Sequence, residues 1–100
     1  MKAAIVGTGG IARIHARAIE YLGGEIVGVC GSSLAAAKAF GAAKPYDDLH
    51  RLLSERRPDV VHVCTPNHLH MDQVLASFEA GAHVICEKPI ATSIADAKRM

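Results

Sequence analysis

The sequence predicts an α/β fold, a doubly wound parallel sheet with helices on both faces. Three observations predict it. Short apolar runs, at Ala3–Val6, Glu25–Cys30, Val60–Cys64 and His83–Cys86, alternate with stretches of helical period. Neither a linker nor an internal repeat interrupts that alternation. The first run leads at once into Gly7-Thr8-Gly9-Gly10-Ile11-Ala12, a turn of the form G-x-G-x-x-A that opens a helix.

Taken in order, Ala3–Val6 reads as a strand buried on both faces. The turn after it assigns each small residue a task. Gly7 allows a tight exit, Gly9 lets the backbone approach a pyrophosphate, and Ala12 lets the helix pack closely on the sheet. Phosphates would rest on the free N–H groups at the positive end of the helix dipole. The helix runs from about Gly10 to Leu22, with Ile11, Ile14, Ala18 and Leu22 as its apolar period and Arg13, Arg17 and Glu20 outside. Gly23-Gly24 ends it. His15 reads as a packed helix histidine rather than a catalytic one, because no acid stands near it in sequence.

Glu25–Cys30 is the second strand, and Gly31-Ser32-Ser33 turns into an Ala-rich helix from about Leu34 to Phe40. Lys44-Pro45-Tyr46 is a very short third strand, kept at an edge by its proline. Asp47 or Asp48 caps a helix through Leu49, Leu52 and Leu53, which Pro58 closes. Val60–Cys64 is the fourth strand. Asn67 is the expected cap of a helix through Met71, Val74, Leu75 and Phe78, stopped by Gly81. His83–Cys86 is the fifth strand, leading to Glu87-Lys88-Pro89, and Ser93 caps a last helix. Right-handed crossovers place the first strand centrally, with the second and third on one side and the fourth and fifth on the other. Gly7–Ala12, Cys30–Ser33, Cys64–Asn67 and Glu87–Pro89 then share one sheet edge.

Composition excludes several classes. The 100 residues are 50% hydrophobic and only 4% aromatic, so the core must be built from Ala, Val, Ile and Leu. A net charge of +1 without a basic cluster gives no expectation of nucleic-acid or membrane-surface binding. Nothing approaches the roughly 18 apolar residues of a membrane span, and the N-terminus is too short in apolar residues for a signal peptide. Cys30, Cys64 and Cys86 read as buried small hydrophobes of a reducing cytoplasm, not as a disulfide or zinc framework. His68 and His70, two apart, point to different sides of a helix, and His62 and His83 have no ligand-spaced partners; no metal site is expected.

Taken together, Gly7-Thr8-Gly9-Gly10-Ile11-Ala12 with His15, Thr65-Pro66-Asn67-His68-Leu69-His70, and Glu87-Lys88-Pro89 resemble the glucose–fructose oxidoreductase, inositol dehydrogenase and rhizopine-catabolism family (Gfo/Idh/MocA). The resemblance covers essentially the whole chain. It implies an NAD(P)-binding Rossmann domain over residues 1–100, the N-terminal part of a longer two-domain enzyme whose sixth strand and substrate domain lie beyond. It also implies hydride transfer between nicotinamide and a sugar, cyclitol or polyol. Lys88 matches the family's active-site lysine, Glu87 a residue near the nicotinamide ribose, and Thr65, Pro66, Asn67 and His70 the stretch beside the cofactor. A lysine desolvated in a crevice can take the proton of a hydroxyl that loses hydride. With Cys64 before that stretch and Gly31, Ser32 and Ser33 after strand two, these residues and the glycine turn make up the expected dinucleotide contacts.

One feature departs from the family pattern. Selectivity for NAD usually rests on an acid at the end of strand two, but Cys30-Gly31-Ser32-Ser33 has none. The serines could bind a 2′-phosphate or merely cap a helix, so the sequence leans slightly towards NADP. Two alternatives stay open: a hydrolase or lyase working by transient oxidation, and a dinucleotide-binding module without catalysis. The uncovered edge at His83–Cys86 points to a homo-oligomer.

Overall fold

The computed structural model describes residues 1–41 and 44–87. The expected last helix from Ser93, together with Lys88 and Pro89, lies outside them. Within them the chain runs β1 (Lys2–Val6), α1 (Gly10–Tyr21), β2 (Glu25–Cys30), α2 (Leu34–Ala39), β3 (Pro45–Tyr46), α3 (Leu49–Arg56), β4 (Val60–Val63), a 3-10 turn (Asn67–Leu69), α4 (His70–Glu79) and β5 (His83–Cys86). The strands are parallel, in the order β3-β2-β1-β4-β5. The doubly wound α/β sheet expected from the alternation is the fold.

Alternation along the strands builds two cores. Ala4, Val6, Cys30, Val61 and Val63 pack with Leu49, Leu52 and Leu53 of α3 and Val74 of α4. Ala3, Ile5, Val29 and Val60 pack with Ala12 and Ile19 of α1, joined by Phe40 at the end of α2. Helices α1 and α3/α4 therefore cover opposite faces, as right-handed crossovers require. Because every strand is parallel, all carboxyl ends meet at one edge, and β3 and β5 are the outer strands among the described residues.

Two local expectations are corrected. Helix α1 does not bury Ile11, Ile14 and Leu22: Ile14 is 62% and Leu22 81% exposed, while Ala12 and Ile19 face the sheet. The helix must lie close to the strands, and a small residue at Ala12 allows that where a bulky one would hold it off. Helix α4 is not capped by Asn67, because the chain makes a 3-10 turn over Asn67–Leu69 and α4 starts at His70, with Leu69 in the cap position and no side-chain cap. Helix α3 ends ahead of Pro58 as expected, at Arg56, with Arg57 as its C-cap in the left-handed region at φ 46°. Of the two expected caps for α3, Asp48 is the one that accepts from the first turn, at Arg51 N–H.

Candidate functional site

At the carboxyl edge, the exit of β1 is built for close quarters. Gly7 has φ +111°, its N–H donates to the Cys30 carbonyl at 2.8 Å, and a Cβ on it would lie 2.7 Å from the Cys64 carbonyl oxygen. No other residue fits there. Two residues on, Gly9 differs in every respect. Its backbone (φ −82°, ψ −170°) suits any residue, and a Cβ on Gly9 or Gly10 would meet nothing within 4 Å. Neither strain nor crowding within the chain accounts for glycine at these two positions. Open ground of this kind at a strand exit is what the sequence predicts beside a pyrophosphate.

Gly9 is also the N-cap of α1 and brings no capping side chain. The first-turn N–H groups of α1 therefore stand at the strand exits without a side-chain cap, at the positive end of the dipole. Thr8, Ile11 and Ala12 complete the turn: Ala12 is buried, Ile11 exposed, and the Thr8 methyl stands where a Cβ on Gly31 would be 3.2 Å from it. The exits of β1 and β2 thus touch. At the latter, the Ser33 hydroxyl accepts from Ala36 N–H at 3.1 Å and is the N-cap of α2, while Ser32 is exposed.

The exit of β4 lies on the other side of the turn. Cys64 is buried, Pro66 is exposed, and Thr65 Oγ donates to the Gln73 side-chain oxygen. His70 is wholly buried, with Nε2 2.6 Å from the Thr65 carbonyl, so it holds the loop from behind and presents no surface of its own to the crevice. Glu87, just past β5, donates its N–H to the Val63 carbonyl at 3.0 Å. Gly7–Ala12, Gly31–Ser33, Cys64–Asn67 and Glu87 are therefore gathered at one edge. Lys88, the expected catalytic residue, follows Glu87 and lies outside the described residues.

Sequence reasoning missed one constellation. His15 of α1 reaches across to β4, where its Nδ1 is 2.9 Å from Nδ1 of His62, and its Nε2 lies 2.5 Å from Glu87 Oε1. The two rings stand edge to face at 83° with centroids 5.1 Å apart. His15 does have an acidic partner, 72 residues away in sequence. The available signal was strand alternation, which puts His62 on the α1 face and Glu87 on the same side as Ile85. Burial, and secondarily His15 nearby, hold the His62 pKa below the ordinary histidine value.

The thiols are quiet. Burial pushes Cys64 up to about 12, with Glu87 and Cys86 adding to it, and Cys30 up to about 11, with Asp48 and Asp47 adding. All three cysteines are free. Among the described residues no cluster of three or more His, Cys, Asp or Glu could hold a metal ion, and no helix is long and apolar enough to cross a membrane. A separate groove of about 420 Å³ runs along α1 with Arg13, Arg17 and Lys44 on its walls, and none of its lining residues belongs to a strand exit.

Comparison with known proteins gives a consistent picture. The family model described as an oxidoreductase family with an NAD-binding Rossmann fold matches residues 1–100. The chain is 40% identical to D-glucoside 3-dehydrogenase of Escherichia coli, matching all of this chain and 30% of that protein. It is 36% identical to inositol 2-dehydrogenase of Salmonella typhimurium over all of this chain and 32% of the relative. Among solved structures, the WlbA dehydrogenase of Bordetella pertussis in complex with NADH and UDP-GlcNAcA superposes with a TM-score of 0.92 at 36% identity, covering 99% of this chain and 32% of that one. Scyllo-inositol dehydrogenase of Lactobacillus casei with bound NAD(H) and scyllo-inositol superposes at 0.86 and 27% identity, covering 99% and 31%. The chain thus spans about 30% of the length of the curated relatives it matches.

Proposed function

The chain belongs to the Gfo/Idh/MocA oxidoreductase family, and from that premise we propose that it is the nicotinamide-dinucleotide-binding part of an enzyme moving hydride to or from a sugar-, cyclitol- or polyol-like substrate. The observation that carries the dinucleotide reading is the pair Gly9 and Gly10, glycines with ordinary room around them at the uncapped start of α1. They fit a diphosphate, which needs bare backbone and N–H donors and nothing else from this stretch. When bound, the cofactor supplies the ring that accepts or gives hydride. The chain's own residues do the rest. The glycine turn holds the diphosphate, the exits of β4 and β5 flank the crevice, and Lys88 exchanges the proton of the substrate hydroxyl.

A longer, two-domain protein, with the substrate pocket contributed by residues beyond these, is part of the same reading and agrees with the length of the relatives. A homo-oligomer belongs to the same reading, and three free, buried or half-buried thiols agree with a reducing, cytoplasmic setting. NADH is what the solved relatives hold, and they give no support to the lean towards NADP. At the end of β2 the Ser33 hydroxyl caps α2, a role that accounts for this serine without a 2′-phosphate.

Titration with NADH and NADPH, read by nicotinamide fluorescence, tests this directly. Saturable binding of either supports the reading; binding of neither ends it. In the enzyme that carries these residues, Lys88→Ala should cost roughly 100-fold or more in turnover, the order expected for loss of a general acid–base group. Full activity after that change would remove Lys88 from the role.

A further inference from the structure

His62 is a polar side chain in the middle of β4, only 8% exposed, on a face otherwise made by Ala3, Ile5 and Val60. A buried imidazole there needs a partner, and His15 is that partner. Satisfying His62 takes only one of the two ring nitrogens of His15. The other is aimed 2.5 Å from Glu87 Oε1, at the crevice edge, and the His15 side chain is itself only 14% exposed. Helix α1 begins at the glycine turn and Glu87 follows β5, so this contact ties the two ends of the crevice together through one side chain.

The proton inventory of the array is fixed by chemistry. A carboxylate oxygen accepts, so His15 carries a hydrogen on Nε2. Between two Nδ1 atoms 2.9 Å apart there is room for a single hydrogen. Burial and His15 disfavour the charged form of His62, so the resting array has His62 neutral. With His15 neutral and its one hydrogen on Nε2, the His62 Nδ1–H donates to His15 Nδ1, and His15 Nε2–H donates to Glu87. Among the described residues, Cys64 and Cys86 also sense this carboxylate, which adds to the burial that pushes both thiols up.

Building on the dinucleotide reading, we propose that His15 is a positioning residue: its Nε2–H anchors the Glu87 carboxylate at the mouth of the crevice, and His62 sets the tautomer that allows it. Glu87 in turn sets the geometry at the ligand's far end from the glycine turn. His15 touches no ligand itself and acts only through Glu87.

Two variants separate the ring nitrogens. In His15→Gln the side-chain amide falls near the place of Nε2 and keeps a donor for Glu87; in His15→Asn it falls near Nδ1 and serves only His62. Both keep a polar, neutral group, so both should fold, which circular dichroism checks. With NADH as the probe on the full 100-residue chain, His15→Gln should bind within about twofold of the parent, while His15→Asn and Glu87→Ala should each weaken binding roughly three- to tenfold, and together no more than Glu87→Ala alone. Nitrogen-15 spectra of the imidazoles at about pH 8, above the ordinary histidine range, should show hydrogen on Nε2 of His15 and on Nδ1 of His62. Equal losses from His15→Asn with and without Glu87 would overturn the proposal, as would a His15 ring with its hydrogen on Nδ1. A parent chain that binds neither dinucleotide would instead remove the functional reading, and this one with it.

Discussion

The two faces of the sheet are built to different rules. Over one face, α3 and α4 bring Leu49, Leu52, Leu53 and Val74 against Ala4, Val6, Val61 and Val63, all aliphatic. Over the other, α1 brings Ala12 and Ile19, and then places an imidazole against an imidazole in the middle of β4. The strands and their register are shared, so the sheet does not cause the difference. The helices do. Helix α1 has to start at the strand exits, close enough for its N-terminus to serve the crevice, and closeness is obtained with small side chains. The α3/α4 face has no such start to place and is filled chiefly for burial, with His70 of α4 bracing the β4 exit from behind. Stability is concentrated on one face and chemistry on the other.

The largest expected effect lies on the stability side. Leu52 is fully buried and presses on β2, where a Cβ on Gly28 would be 3.1 Å from it. Leu52→Ala should cost about 2–5 kcal/mol, a large share of what a domain of this size has to lose. Denaturant midpoints measure it. If the contrast between faces is right, the protein that remains folded binds dinucleotide as before; an affinity that falls with stability would break the contrast.

Gly9→Val inverts that pattern. The backbone there is extended and the space open, so stability should fall only by the weaker N-cap preference of valine, about 1 kcal/mol. The new side chain occupies the path of a diphosphate, and dinucleotide affinity should drop at least about tenfold, some 1.4 kcal/mol. Unchanged affinity would mean that the open ground at Gly9 and Gly10 is not where the ligand lies.

The same contrast explains what could be read in the sequence. The α3 contribution was legible because burial there follows the period of bulky apolar residues, Leu49, Leu52 and Leu53, and Val74 of α4 joins them, while Phe78 of the same expected period is exposed and Ser77 buried. On α1 the rule misled. Ile11, Ile14 and Leu22 carry the stronger apolar signal, yet Ala12 and Ile19 face the sheet, because steric closeness and not hydrophobic bulk decides the contact. The glycine turn and the strand exits could be assigned since each is local, a few residues following a strand. The His15–His62–Glu87 array could not, because it joins α1, β4 and β5 across as many as 72 positions, and sequence proximity of an acid was the wrong criterion for His15. The 3-10 turn before α4 defeated the Asn67 cap for a related reason: where the backbone tightens is settled by what holds the loop, here His70 bonded to the Thr65 carbonyl.

The smallest expected effect is a pH slope belonging to the α1 face. Folding lowers the pKa of His62 from its ordinary 6.5, chiefly by burial and then by His15. The unfolded chain therefore takes up that proton more readily than the folded one. Stability owed to a neutral His62 is whole above pH 6.5, declines as the pH falls below it, and stops declining once the folded state's own lower pKa is passed. Glu55 slopes the same way but lower: Arg51 and Tyr46 hold its pKa beneath the ordinary 4.5, so its contribution is lost only below about that pH. The two windows are separable. Urea midpoints taken from about pH 7.5 down to pH 5 should fall in the parent chain and in Leu52→Ala, since the α3/α4 face has no part in it. In His62→Val, which gives β4 the residue of its neighbours Val61 and Val63, the slope between those values should shrink while the slope below about pH 4.5 persists. A His62→Val protein as acid-sensitive as its parent in the upper window would show that the imidazole in β4 is not what the α1 face gives up to carry its chemistry.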